Sequence, residues 1–193
     1  MLTLYYSPGT SSLAVHIALN EVGAKFDTRL LTLQKDTRTA GFLTVNPNGK
    51  VPVLAIDGRP LTEVAGCLFY IARAYPQARL LPADDPEAEA QVVSWMSFIA
   101  SAIHPSRQAG PERVREVWQV AEQRLGGKEW TVGGAYSIAD IHLFRLYWRF
   151  RGPLEFKDAD YPGIHAHYER MLARPAVKKT LADEDKAGAS LPR

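Results

Sequence analysis

The sequence predicts an α+β segment followed by an all-α segment, on three observations. Strand-like and helix-like patterns alternate from Leu2 to Tyr75, a proline-rich stretch then interrupts the chain, and beyond it only helical periodicity remains.

Leu2-Thr3-Leu4-Tyr5-Tyr6 is a short β-prone run, halted by Ser7-Pro8-Gly9. Ser11 and Ser12 are residues that cap helices, and the helix they open ends near Gly23. Within it Leu13 and Ile17, and beside them Val15 and Leu19, recur at i, i+4 spacing. Phe26 through Leu33 reads as a second strand, and a polar stretch, 34–41, leads into Phe42-Leu43 and the turn Asn46-Pro47-Asn48-Gly49. Val53-Leu54-Ala55-Ile56 is a third strand, which Asp57-Gly58 turns into Leu61-Thr62. A helix from Val64 to Tyr75 completes the order β-α-β-α-β-β-α.

From Pro76 to Pro86, prolines and the pair Asp84-Asp85 read as a linker. Val92, Trp95 or Met96, Ile99 and Ile103 then recur at helical spacing across 87–104. Glu112 to Leu125 is a charged amphipathic helix, and Ile138 to Phe150 is apolar on nearly every side, as a buried helix must be. Pro162 and Pro175 stand where two further helices begin. The expected domains are therefore 1–76, a linker 77–86, and an all-helical 87–193.

Of the 193 residues, 46% are apolar and 23% charged, a globular balance. The formal net charge of +2 is spread without a basic stripe, which argues against a nucleic-acid partner. No apolar run reaches the roughly 18 residues of a membrane span. The start, MLTLYYSPGT, has no secretory pattern, and a cytoplasmic location is expected. Cys67 is the only cysteine, so neither an intrachain disulfide nor a cysteine-based zinc site is available. His142, His165 and His167 lack the spacing of metal ligands.

Several motifs stand in an order that resembles the glutathione transferases, most closely the bacterial beta class. YYSPGTSSLAVHIAL is similar to the opening strand, catalytic loop and first helix of that class. NPNGKVPVL resembles its loop ending in a cis-proline, here Pro52, and LTEVAGCLFYIA the segment that holds the γ-glutamyl end of glutathione. GGAYSIADIHLF is similar to the family's capped buried helix, and YPGIHAHYERMLARPAVKKTL to its closing helices. The resemblance spans essentially the whole chain. It implies a thioredoxin-like N-terminal domain, an all-α C-terminal domain, glutathione as co-substrate, and a homodimer.

Such an enzyme must lower the pKa of a thiol from about 8.5, by a helix N-terminus and a hydrogen-bond donor aimed at the sulfur. Ser11 and Ser12 stand where both devices meet; read alone, they are helix caps. The resemblance makes Ser11 the thiol-activating hydroxyl, at the position where the beta class usually has cysteine. A serine there cannot form a disulfide with glutathione. Tyr5, Tyr6, Ser7 and Thr10 are rival donors.

The resemblance also implies that the Val51 backbone, before a cis Pro52, pairs with the cysteinyl part of glutathione; the plain alternative is a trans proline at a strand start. Glu63 and the N–H of Val64 would grip the γ-glutamyl end, where Glu63 could equally be a helix N-terminal acid. Many family members have serine at the position of Val64. Lys35 would reach the glycyl carboxylate, or sit solvated. His104 would orient the thiol or the electrophile near the cleft between the domains, or cap its helix. Relatives commonly carry an acid on that helix, whereas none lies between Glu89 and Glu112 here. Ser97 or Ser101 would then take over. Ser137-Ile138-Ala139-Asp140 has capping-box spacing, and Cys67 reads as core.

The leading functional expectation is conjugation of glutathione to a small hydrophobic electrophile. Glutathione-dependent reduction or isomerisation, and a non-catalytic binding protein of the same fold, are the alternatives.

Overall fold

Leu2, Leu4 and Tyr6 turn inward while Thr3 and Tyr5 are half-exposed, the period-two pattern of a strand, and they form β1 (Leu2–Tyr6). The structure, a computed structural model, describes residues 1–82 and 84–188. After β1 come α1 (Ser12–Glu21), β2 (Phe26–Leu30), a 3-10 turn (Asp36–Arg38), α2 (Ala40–Val45), β3 (Val53–Ile56), β4 (Arg59–Thr62) and α3 (Val64–Ala74). The sheet order is β2-β1-β3-β4. β1 runs parallel to β2 and antiparallel to β3, and β3 is antiparallel to β4. This is the thioredoxin-like layout expected from the sequence. β2 is shorter than the expected 26–33, because its ladder can run only as far as β1. Tyr6 faces Leu30, and the N–H of Leu31 makes the last bond, to the Tyr6 carbonyl at 2.8 Å.

The i, i+4 pattern of α1 understates its burial: every residue from Ser12 to Leu19 is buried. The helix packs against β1, α3 and a helix from the far end of the chain, α9 (Pro175–Lys186). The sequence reading placed 87–193 in one helical domain. In the structure α9 joins the compact unit of Met1–Ala74, while Tyr75–Arg174 forms the other. The reason is a polar seam along α9. Asn20 donates from Nδ2 to the Thr180 hydroxyl at 2.8 Å, and Lys179 Nζ donates to Asn20 Oδ1 at 3.0 Å. One turn further, buried Glu184 reaches His16.

The second unit is helical. α4 (Pro86–Phe98) starts with Asp85 accepting from the Ala88 N–H at 2.9 Å. The helix expected over 87–104 does not run on unchanged: Ile99–Ile103 is π-helical, followed by α5 (His104–Ser106). Pro105 accounts for the change, since its ring crowds the carbonyl of Ser101 and it offers no N–H. α6 (Pro111–Leu125), α7 (Ile138–Phe150) and α8 (Pro162–Ala173) follow. α7 is buried except at Arg149, as its composition predicts. Its aromatic residues are core: Tyr147 and Phe150 meet Trp118 of α6 with ring centroids 5.4 and 6.1 Å apart. Among the described residues no helix is long and apolar enough to cross a membrane.

Candidate active site

Strand directions bring most of the candidate residues to one end of the sheet. Because Tyr5 faces Val53 and Val53 faces Thr62, the C-terminal ends of β1 and β4 meet the N-terminal end of β3. The loop 7–11, the Val51–Pro52 bond and Glu63 all emerge there, and β2, parallel to β1, delivers the segment holding Lys35 to the same end. Open sheets of this kind bind ligands at such an end.

The loop after β1 closes on itself through hydroxyls. Thr10 Oγ1 donates to the Ser7 carbonyl at 2.7 Å and lies 2.9 Å from Ser12 Oγ. Ser12, wholly buried, also donates to the Ser7 carbonyl at 3.0 Å and accepts from the Ser7 N–H at 3.2 Å. Thr10 and Ser12 are thereby committed to holding the turn. Ser11 differs. It is the N-cap residue of α1, yet its side chain makes no capping bond, and it stays half-exposed. The first turn of α1 carries no acidic residue to offset the positive end of the helix. Tyr6 is buried, and burial, together with Glu184 and Asp183, pushes its phenol above the usual range. Tyr5 meets Phe42 at 6.0 Å.

Val51–Pro52 is cis. Glu63 adopts φ 65°, a left-handed conformation that costs a side-chain-bearing residue about 1–3 kcal/mol and that Gln34, Asp57, Arg79, Asp84 and Glu155 also adopt. It is exposed, its carbonyl accepts from the Cys67 N–H at 3.0 Å, and Val64 then opens α3. Lys35 is exposed beside Asp36, whose carboxylate accepts from the Thr32 N–H at 2.8 Å. That bond holds the Asp36 carboxyl below the usual carboxylate range. His104 belongs to the other unit, at the end of the π-helical segment, and is exposed.

Cys67 is core, as expected. Burial pushes its thiol up to about 12, and it donates to the Leu61 carbonyl at 3.4 Å. The capping box at Ser137 forms. Asp140 does more than the spacing suggested: fully buried, it accepts from Ser137 N, Ser137 Oγ, Thr131 N and His167 Nε2 within 2.8–3.0 Å.

Sequence reasoning missed Glu184. One of its carboxylate oxygens accepts from the Gly9 N–H at 2.8 Å, and the other lies 3.1 Å from His16 Nδ1. Its stretch, Asp183-Glu184-Asp185-Lys186, has the composition of a solvated helix face, and only the i, i+4 relation to Thr180 hinted that it turns inward.

Comparison with known proteins agrees with this fold. Residues 10–74 match the glutathione S-transferase N-terminal domain, and residues 88–175 match the C-terminal domain of the same family. Glutathione S-transferase GstA of Escherichia coli O157:H7 is 30% identical, over 95% of this chain and 98% of its own. A sphingomonad glutathione S-transferase solved in complex with glutathione superposes with a TM-score of 0.86 at 34% identity, covering 95% of this chain and 98% of that one. The beta-class enzyme of Sphingomonas chungbukensis gives a TM-score of 0.86 at 35% identity, covering 94% and 98%. An N-terminal thioredoxin-like unit followed by a helical unit is the architecture of the glutathione-transferase class that these matches share. The chain belongs to the glutathione S-transferase family.

Proposed function

We propose that the protein is a glutathione transferase that uses the Ser11 hydroxyl to hold glutathione as its thiolate for attack on a small hydrophobic electrophile. The observation that carries this reading is the division of labour in the loop: Thr10 and Ser12 are bonded within it, whereas Ser11, half-exposed at the N-terminus of α1, makes no capping bond. A hydroxyl donor and the positive end of a helix both favour the charged form of a thiol. The nucleophile is then glutathione itself, and the protein supplies placement and charge stabilisation.

In this reading Val51, ahead of cis Pro52, offers its backbone to the cysteinyl part of glutathione. Glu63 takes the γ-glutamyl amine, the Val64 N–H takes the γ-glutamyl carboxylate, and Lys35 takes the glycyl carboxylate. The place of Glu63 supports its part, because it stands exposed between β4 and the start of α3, at the sheet end where the Val51–Pro52 bond and the loop 7–11 emerge. His104 orients the electrophile from the helical unit. The working form is a cytoplasmic homodimer.

Calorimetric titration with glutathione, followed by a conjugation assay with chlorodinitrobenzene, tests the reading. The wild type is expected to bind in the micromolar to low-millimolar range. Glu63→Ala should lose that binding, and Ser11→Ala should keep it while losing thiolate at neutral pH. A wild type that binds no glutathione would sink the proposal in favour of a binding protein for another ligand.

A further inference from the structure

The most distant side chain to touch the catalytic loop is Glu184, 175 residues beyond its partner Gly9. It is 1% exposed, and both of its oxygens are directed at unit-one groups that precede or follow Ser11 in the chain. Gly9 sits at φ 69°, a conformation open to glycine at little cost, and nothing in its own side chain can fix it there. The bond from its N–H to Glu184 Oε2 does so from outside the loop. The second oxygen faces His16 Nδ1, one turn into α1. A carboxylate can only accept, so that nitrogen carries the proton. The His16 ring is itself wedged edge-on against Tyr6 and Phe26, with centroids 5.5 and 5.7 Å away. One carboxylate therefore ties the turn before Ser11 to the helix after it.

We propose that Glu184 is a positioning residue of the glutathione site, fixing the Gly9 amide and α1 so that the Ser11 hydroxyl is held where a thiolate forms. The proposal rests on the role given to Ser11 above. Electrostatics decide that its contribution is geometric. A negative charge beside a thiolate disfavours the thiolate, so the carboxylate is of use here as an acceptor and not as a charge. Neither range matched by the family domains, 10–74 or 88–175, contains it.

The test compares Glu184→Ala with Glu184→Gln, which carries no charge, keeps its amide oxygen as acceptor for the Gly9 N–H, and can donate from its NH2 to His16 Nδ1 when that ring carries its proton on Nε2 instead. The control is Thr180→Val, which loosens the α1–α9 seam away from the loop. Two readouts are used: hydrogen–deuterium exchange of residues 7–12, and the pH profile of kcat and kcat/KM for glutathione conjugation. Glu184→Ala should raise loop exchange about tenfold. It should move the ascending limb of the pH profile up by about one unit, a tenfold loss at pH values well below the midpoint of that limb, with the KM for glutathione within about threefold of wild type. Glu184→Gln should restore both readouts, and Thr180→Val should move neither. Unchanged exchange in Glu184→Ala, or equal effects from Thr180→Val, would overturn the proposal. A wild type that neither binds nor turns over glutathione would instead remove the transferase reading, while the exchange data still decide whether Glu184 holds the loop.

Discussion

Two buried helices, α1 and α7, each begin at a serine, and the two serines are used in opposite ways. Ser137 accepts from the Ala139 N–H, donates to Asp140 and receives that carboxylate on its own N–H, so its polar groups serve the helix it starts. Ser11 occupies the same N-cap position, yet its side chain makes no cap bond; the neighbouring Ser12 and Thr10 close the turn instead. Each helix is also fixed by a buried carboxylate facing a histidine, but the two pairs differ in what else they hold. Asp140 with His167 gathers the start of α7 and the Thr131 amide, a local structural knot. Glu184 with His16 holds the glycine of the loop that carries Ser11. Ser137 spends its hydroxyl on the helix it starts, whereas Ser11 makes no cap bond and its neighbours close the turn, as the role proposed for it requires.

The largest effect that would sharpen this contrast belongs to Asp140→Ala. It strands His167 and the amides of Thr131 and Ser137 in a buried site, and urea denaturation should show a loss of about 3–5 kcal/mol. Next comes acid. His142 on α7 is fully buried, and burial, then the Arg145 charge and the His104 charge, hold its pKa well below the usual value of 6.5. The unfolded chain therefore binds more protons than the folded one below pH 6.5. Stability should be level above that pH and fall as the pH drops beneath it, at up to about 1.4 kcal/mol per unit for this one group. His142→Phe should flatten the profile in the window between pH 6.5 and 5, as followed by denaturant midpoints. The smallest and most discriminating effect is in the two serines. Ser137→Ala should cost about 1 kcal/mol or somewhat more, while Ser11→Ala should change stability by less than about 0.5 kcal/mol. Equal losses in thermal denaturation would mean that Ser11 caps after all.

Most of the fold could be read from local pattern, and the structure shows where that reading stops. The strand at Leu2–Tyr6, the buried α7 and the box at Ser137 are all stated by neighbouring residues, whose period and capping chemistry are local. The end of β2 was not, because it is set by the length of the strand beside it. The π-helical turn at Ile99–Ile103 escaped the reading because a five-residue widening leaves the apolar spacing almost unaltered. Of the candidate residues, Ser11, Pro52 and Glu63 could be picked out by motif, and the structure brings their loops to one end of the sheet. Glu184 could not, since its partner is at the other end of the chain and its own neighbours are charged.

That long reach has a consequence for how the molecule is made. A ribosome releases the loop around Ser11 well before the acceptor for Gly9, which appears only after the helical unit of Tyr75–Arg174 has been translated. Contacts between such distant segments form late, after a costly loop closure. The turn around Ser11 is thus made without the acceptor for its Gly9 amide, and it gains that anchor only when α9 docks.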